Sequence, residues 1–230
     1  MRNRLAAVLI LLLIIPSYFV TYGQKLVNSP YARFNLGILE PSGSFRSQGM
    51  GGVGTALRDN STLYYTNPAS YSSIDSNSFI FDFGIDYGIN ILSDGSDSHK
   101  SDDINFDHML LGFPILKGFG VGLGITTYSN GYYSISDAIG EDDPGYDPVT
   151  GGYIETHAGK GGITKFFIGS GIRMFKYFSA GVNLNLLFGT LNRTNQFDFT
   201  GYYNSYNNNS NENLELSGLN FDYGLQLELP

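Results

Sequence analysis

The run from Phe79 to Ile91 restricts the possible folds more than any other stretch of the chain. Its odd-numbered positions are all apolar or aromatic, whereas its even-numbered positions from Asp82 onward carry only Asp, Gly or Asn. Because successive side chains of a strand point to opposite faces, this alternation predicts a β-strand with one apolar and one polar face. At about 3.3 Å per residue the run is about 43 Å long, and tilted by about 45° it crosses about 30 Å, the hydrocarbon thickness of a bilayer. A transmembrane barrel strand, apolar towards lipid and polar towards the lumen, fits both properties.

The alternation recurs in five later stretches, at about residues 104–113, 118–126, 163–173, 178–188 and 218–229. The facing of the first of these five is open, because polar and apolar residues occur on both of its sides. Long polar connections alternate with short ones, as external loops and periplasmic turns do in outer-membrane barrels. The predicted fold class is therefore all-β, an antiparallel transmembrane β-barrel. A secreted β-sandwich is the alternative, although its strands are shorter and its turns more closely spaced. The long connections are predicted at 93–103, 134–160 and 201–213, and the short ones at 114–117 and 174–177.

The composition excludes several classes of function. The chain has 30 Gly, 17 Tyr and 17 Phe, no Cys, and a formal net charge of -8. Glycine and aromatic residues with few charges favour β-structure, and the negative charge argues against a nucleic-acid partner. Without cysteine there is neither a disulfide framework nor thiolate chemistry. Because His99, His108 and His157 occur in no ligand or catalytic pattern, we predict no metal, no cofactor and no enzymatic activity.

The N-terminus predicts export. Arg2 and Arg4 precede an apolar run at 5–15, and small residues follow at positions typical of signal-peptide cleavage. We predict a signal peptide over residues 1–23, with Gln24 as the first mature residue, rather than an uncleaved anchor. After Gln24 no apolar stretch is long enough for a spanning helix, so insertion would use strands. The predicted location is the outer membrane of a Gram-negative bacterium, with membrane lipid and lipopolysaccharide as partners.

Residues 24–77 show neither strand nor helix periodicity, and an irregular segment of this length is often functional. An arginine- and glycine-rich run, followed by Asn-Pro-Ala just before the first predicted strand, resembles the N-terminal hatch of the FadL-type outer-membrane transporters for long-chain fatty acids and aromatic hydrocarbons. The opening residues Ser29 to Phe34 are similar to a further branch of that superfamily. The hatch motif comprises Arg46, Gly49, Met50, Gly51, Gly52, Gly54, Ala56, Leu57, Arg58, Asp59, Asn67, Pro68 and Ala69.

The resemblance implies passive uptake of hydrophobic small molecules through a channel gated by the hatch. Arg46 and Arg58 would hold the hatch by pairing with inner-wall carboxylates such as Asp82 and Asp86, and the hatch is either mobile or a static plug. The polar positions expected to line the lumen are Asp82, Asp86, Asn90, Lys165, Arg173, Asn183, Asn185, Asn220 and Asp222.

The third predicted strand changes phase after Ile125, as a bulge would make it. The family is known for a kink in its third strand that opens the wall to lipid. The resemblance therefore implies a lateral opening, although a strand that ends at the membrane interface in a tyrosine belt is the alternative. The opening would comprise Thr126, Thr127, Asn130 and Gly131.

Two other functions fit the same fold. One is a shuttle barrel associated with type IX secretion, whose partner is a secreted protein, and the other is a structural or adhesive surface barrel. Six strands are fewer than the roughly eight of the smallest single-chain barrels. We therefore expect residues 78–230 to be the first strands of an incomplete barrel, belonging to a longer gene product.

Overall fold

Antiparallel β-strands make up most of the computed structural model, which describes residues 29–93, 98–199 and 205–228. The predicted signal peptide lies outside the described residues. The strands are β1 (Ile38–Leu39), β2 (Ile80–Ser93), β3 (Ser98–Leu116), β4 (Phe119–Asn130), β5 (Tyr133–Ile139), β6 (Tyr153–Arg173), β7 (Phe178–Phe199) and β8 (Asn208–Leu227). The helical elements are a 3₁₀ turn at Pro30–Arg33, the single-turn helix α1 at Phe45–Gln48 and a 3₁₀ helix at Pro68–Ser73.

All eight strands belong to one sheet, in the order β2-β3-β4-β6-β7-β8. The short strand β1 pairs with β4, and β5 pairs with β6. Neighbouring strands are antiparallel, as predicted. Among the described residues β2 and β8 are the two edges of an open sheet and do not pair with each other. The sheet has eight strands, whereas the sequence predicted about six strands of an incomplete barrel.

Several strands are much longer than the sequence predicts. Strands extend into the stretches expected to be long polar loops, because β3 begins at Ser98, β6 at Tyr153 and β8 at Asn208. The hairpin of β6 and β7 is paired without interruption from Tyr153–Phe199 to Arg173–Ser179. Backbone hydrogen bonds between strands do not require alternating side chains, so the ladders continue where the apolar pattern stops.

The sheet has two unlike faces, which we call the inner face and the outer face. The outer face carries the apolar positions of β2, whose odd-numbered residues from Phe79 to Ile91 are between 51% and 69% exposed. Equivalent residues of β7 and β8, such as Val182, Leu186 and Phe221, are also exposed. The inner face is the one on which the chain before β2 packs.

The facing of β3, which the sequence leaves open, is decided by a bulge. The register with β2 shifts between Gly84 and Ile85, so that Gly84 faces His108 and Ile85 faces Phe106. Because Asp107 is the extra residue of the bulge, the inward-facing positions of β3 change from odd to even numbers at this point. As a result His108 and Leu110 lie on the same inner face as Asn105, whereas Phe106 packs with Phe83 on the outer face.

Residues 29–77, which we call the N-terminal segment, lie along the inner face. Apart from two 3₁₀ elements, α1 and β1, the segment consists of turns and extended chain, as its lack of periodicity predicts. Its 3₁₀ helix at Pro68–Ser73 contacts β3, β4, β6, β7 and β8. Within the described part of the chain no helix is long and apolar enough to cross a membrane.

Candidate functional site

The contact between the N-terminal segment and the inner face forms the hydrophobic core. Tyr71 is fully buried, and Tyr65 stacks on Phe167 of β6 with ring centroids 5.2 Å apart. Burying such aromatic side chains contributes roughly 1.5–3 kcal/mol each. The core cluster consists of Leu63, Tyr65, Tyr71, Ile74, Ile80, Leu110 and Phe167.

Glycines on the inner face let the segment approach the backbone of the sheet. A Cβ added to Gly122 would lie 3.0 Å from the Tyr71 ring, and one added to Gly181 would lie 2.6 Å from the backbone nitrogen of Ala69. Gly120 and Gly171 face the same 3₁₀ helix equally closely. These glycines occupy the polar-face positions of their strands, so a column of glycines was the sequence signal for a second layer of chain.

A buried hydrogen-bond network ties the segment to β7. Asn183, which is 1% exposed, donates from Nδ2 to the Tyr65 carbonyl (3.0 Å) and accepts the Tyr71 hydroxyl at Oδ1 (3.0 Å). Burial raises the pKa of the Tyr71 phenol far above its usual value and that of the Tyr65 phenol to about 12. Both hydroxyls are therefore neutral at physiological pH. The Tyr71 hydroxyl donates to Asn183, the Tyr65 hydroxyl accepts the Gly43 N–H (2.7 Å), and Asn183 satisfies two buried groups of the segment.

The Asn-Pro-Ala element of the predicted hatch motif is a helix start that also binds the sheet. Asn67 Oδ1 accepts the Ala69 N–H (3.1 Å), as an N-cap residue does, and Pro68 takes the first helical position. Asn67 Nδ2 donates to the carbonyls of Thr55 (2.7 Å) and Leu225 (3.3 Å). The motif thus connects two parts of the segment with the edge strand β8.

The two arginines of the motif have different surroundings. Arg58 is mostly buried and donates to Ser72 Oγ (2.8 Å), Ser179 Oγ (2.9 Å) and Gln226 Oε1 (3.4 Å). Its burial, and secondarily the nearby Arg173, lower the pKa of the guanidinium from its usual value. Arg46 is exposed and pairs with Asp59 of its own segment.

The predicted pairing of Arg46 and Arg58 with Asp82 and Asp86 is therefore corrected, since neither arginine contacts those carboxylates. A cavity of about 510 Å³ lies beside Arg58. Charged and polar residues, among them Asp59, Arg173 and Glu228, line much of it. This is not the apolar pocket that a hydrophobic ligand would require.

We predict that Arg58→Ala weakens docking of the segment by about 1.5–3 kcal/mol, the usual worth of hydrogen bonds to a charged group. Arg46→Ala is the matched control and should cost at most about 1 kcal/mol, because its ion pair is exposed. Limited proteolysis of detergent-solubilised protein measures the difference as the rate of cleavage within residues 29–77. Equal cleavage of the two variants would contradict the assignment of Arg58 as an anchor.

Asp82 has a histidine partner instead. Its Oδ2 lies 3.4 Å from Nε2 of the buried His108, and His108 Nδ1 lies 2.8 Å from Asp107 Oδ2. The ring of Phe45 in α1 packs on the imidazole with centroids 5.0 Å apart, and Gln48 Nε2 donates to Asp107 (3.4 Å). The helix α1 is thereby fixed over β2 and β3.

The residues of the predicted lateral opening lie where the sheet is interrupted. The ladder between β3 and β4 ends at the His108–Thr126 pair, and the register with β6 shifts between Thr127 and Ser129. Beyond that point β1 takes the place of β3 beside β4, pairing with Ser129 and Asn130. Gly131 donates its N–H to the Gly161 carbonyl, and a cavity of about 190 Å³ lies at the break.

Glu40 follows β1 and lies near three carboxylates of β2 and β3. Burial raises the pKa of its carboxyl, and Asp86, Asp107 and Asp103 raise it further by repulsion. Its backbone N–H donates to the Tyr128 carbonyl (3.0 Å), which fixes the main chain of Glu40 beside β4.

A raised folded-state pKa means that the protonated carboxyl favours the docked segment. The stabilisation is complete below the ordinary pKa of 4.5 and is lost as the pH rises through the raised folded value. We predict that Glu40→Gln removes this dependence and at pH 7.5 strengthens docking of β1 by roughly 0.2–1 kcal/mol, the range of close charge pairs in sheets. Hydrogen exchange at residues 38–40 between pH 4 and pH 8 tests it, with Glu215→Gln on the exposed part of β8 as control. An unchanged pH profile would contradict the prediction.

The other predicted lumen residues all lie on the inner face, where they form two groups. Lys165 Nζ lies 5.0 Å from the centroid of the Tyr65 ring, and Asn185 donates to Asn220 Oδ1 (2.6 Å) and Asp222 Oδ2 (2.8 Å). These four lie near the segment, with Asn183. Asp86 is exposed, Asn90 is partly exposed, and Arg173 lies apart, 3.8 Å from Glu228.

The sequence did not reveal the aromatic and hydroxyl groups that join the segment to the sheet, chiefly Tyr65, Tyr71, Phe167 and Ser179. Phe167 interrupts a glycine-rich polar face, and that departure from the pattern was the available signal. In the described part of the chain, no three His, Asp or Glu side chains are close enough to hold a metal ion. The arrangement is one of packing and hydrogen bonding, suited to holding chain against chain.

Comparison with known proteins gives one finding. A family model described as BamG matches residues 3–229. No curated protein and no solved structure matches the chain significantly. The match associates the chain with the bacterial outer membrane and with a protein partner.

The match also corrects the predicted function. It covers almost the whole chain, whereas the resemblance to the FadL-type transporters depends on one short segment. The assignment to those transporters and the predicted channel for hydrophobic molecules are wrong. The two alternatives, a secretion shuttle and an adhesive barrel, gain no support from it. Glycine-rich backbone and an Asn-Pro-Ala helix start are expected of any segment that packs closely on a sheet. They therefore do not identify a transporter.

Proposed function

Because the chain belongs to the BamG family, we propose that it is a component of the BAM complex, which assembles outer-membrane proteins. The match over residues 3–229 is the observation that carries this proposal. The role is one of binding and support. No catalytic step is proposed, and the buried contacts of the inner face are used in holding the N-terminal segment.

The outer face supports a place within the membrane. On β7 and β8 its apolar residues run from Ala180 to Phe188 and from Leu219 to Leu227, about the length of a tilted strand in the hydrocarbon core. Apolar side chains at this density on a water-exposed face would be costly. We propose that these strands are part of a transmembrane β-barrel, with lipid and lipopolysaccharide as neighbours of the outer face.

The inner face supports a static role for the N-terminal segment. Its core is apolar and buried, and Asn183, Asn67 and Arg58 make hydrogen bonds across the contact. Moving it would expose the core and leave these groups unpaired, each at a cost of about 1–3 kcal/mol. We propose that residues 29–77 form a permanent plug that stiffens the sheet.

In a membrane, the open edges of β2 and β8 would each need a partner strand. Unpaired N–H and C=O groups cannot be hydrated in lipid, so each edge must be hydrogen-bonded by another strand in the membrane. In the assembled state we expect both edges to be paired. Either the same polypeptide or another protein could supply those strands.

Affinity purification of the tagged protein from outer membranes in mild detergent tests the function. We expect BAM subunits to co-purify in a fixed ratio, measured by native mass spectrometry, and depletion of the protein to lower the amount of other barrels in the membrane. A tagged barrel of unrelated function is the control. Recovery of the protein without assembly subunits, together with normal barrel levels on depletion, would overturn the proposal.

A further inference from the structure

The polarity of the outer face changes along the length of β7. Outward-facing residues are apolar as far as Phe188 and then become polar. Their partners on β8 change at the same level, where Leu219 faces Leu186 and Glu215 faces Thr190. The polar outward residues of β7 beyond this level are Thr190, Asn192, Thr194, Gln196 and Asp198.

We call the strands beyond this level the distal lobe, residues 133–159, 190–199 and 208–216. With a rise of about 3.3 Å per residue, its part of β7 extends roughly 30 Å past the apolar band. A polar outer face this far from the apolar band is expected to be in contact with water. The proposed membrane placement therefore puts the distal lobe outside the bilayer.

The inner face of the distal lobe is aromatic. Tyr153 of β6 pairs with Phe199 of β7, and their rings lie 5.4 Å apart by centroid. Phe197 lies 6.2 Å from Tyr153 and 6.5 Å from His157. Ile135 and Ile139 of β5 face the same side, because they pair with His157 and Tyr153. A row of half-buried apolar side chains thus faces inward where the surroundings are aqueous.

The charge around this row is mainly negative, since the inward-facing Arg193 of β7 is paired with Glu212 (3.6 Å). Residues 134–159, which form β5, the adjoining loop and the first part of β6, contain six carboxylates and no lysine or arginine. Asp137 is exposed beside the row, and the loop carboxylates are exposed as well. Glu155 lies 2.6 Å from His157 and so has a partner within the chain. The six are Asp137, Glu141, Asp142, Asp143, Asp147 and Glu155.

We propose that the inner face of the distal lobe is a docking surface for a partner-protein segment that carries apolar side chains between lysines or arginines. The apolar part would cover Tyr153, Phe197 and Phe199, and the basic residues would meet the acidic loop. This complementarity would fix register and speed association. The inference rests on the proposed function and names the surface that one subunit of the complex would use.

The ring geometry favours a protein over a glycan. Sugars bind to flat, open aromatic faces, whereas Tyr153 is tilted by 44° against Phe199 and by 46° against Phe197. Tilted rings that pack on each other form a continuous apolar surface, which is typical of the core of a protein interface. The polar rim of carboxylates completes that arrangement.

A photo-crosslinking amino acid in place of Phe197 tests the inference in the intact, affinity-purified complex. The matched control places it at the neighbouring Gln196, which faces the opposite side. We expect a protein crosslink from position 197 at least fivefold stronger than from 196, mapping to a peptide with basic and apolar residues. Asp142→Lys with Asp143→Lys should reduce that crosslink severalfold without changing co-purification of the other subunits.

The outcomes are distinguishable. If the complex co-purifies but position 197 crosslinks to nothing, to lipopolysaccharide glycan, or no better than position 196, the docking surface is overturned and the proposed function stands. If the charge reversal leaves the crosslink unchanged, the basic character of the partner is overturned. If no assembly subunit co-purifies, the proposed function fails and the inference fails with it.

Discussion

Gly181→Val is expected to separate the N-terminal segment from the sheet. Gly181 faces the start of the 3₁₀ helix, and an added Cβ would overlap the Pro68 carbonyl group and lie 2.6 Å from the Ala69 nitrogen. These are backbone atoms in the middle of the core, so they cannot rotate away as a flexible side chain would. Overpacking of this kind costs about 1–3 kcal/mol, and more where backbone must move.

The matched control is Gly218→Val on β8. Gly218 also faces inward, but a Cβ there meets nothing within 4 Å, and valine suits a strand. We expect its effect to stay within about 0.5 kcal/mol. Protease cleavage within residues 29–77 and thermal unfolding in detergent measure both variants. Equal behaviour of the two would show that the segment does not pack on β7 as described.

Asn183→Leu is expected to have an effect of similar size for a different reason. Leucine fits the space approximately but neither donates to the Tyr65 carbonyl nor accepts the Tyr71 hydroxyl. Both groups would be left buried and unpaired, each at about 1–3 kcal/mol. Asn192→Leu on the exposed outer side of β7 is the control and should be nearly neutral.

A double-mutant cycle tests whether the hydroxyl is the cause. Tyr71→Phe alone should cost about 1 kcal/mol, the worth of one hydrogen bond. In the Asn183→Leu background it should cost less, since the hydroxyl it removes is already unpaired. The readout is the free energy of unfolding in guanidinium. Additive effects would mean that Asn183 and Tyr71 stabilise the protein independently.

The run at 79–91 is a strand that the sequence predicted well. Alternation placed β2 almost correctly, and its apolar residues lie on one exposed face. Strand lengths were predicted poorly, because β6 and β7 continue past the apolar band on backbone pairing that the pattern does not report. The stretch 134–160 was predicted to be a loop for this reason, although about half of it belongs to β5 and β6.

The candidate site was predicted less well. The hatch motif lies in the segment that packs on the sheet, but which arginine is buried was not readable, since Arg46 and Arg58 are alike in type and in glycine-rich surroundings. Function was misassigned from the same motif, because close packing of backbone on a sheet selects glycine and small residues whatever the protein does.

The sequence by itself determined that the chain forms strands with an apolar and a polar face. That property is local, because the pleat of a strand sends neighbouring side chains to opposite sides whatever surrounds them. Only the tertiary structure decided what covers the polar face. Tyr71 and Asn183 meet across 112 positions of sequence, and no local pattern encodes a contact at that separation. The buried interior arises because the N-terminal segment folds onto the glycine columns and excludes water from groups that would otherwise be hydrated.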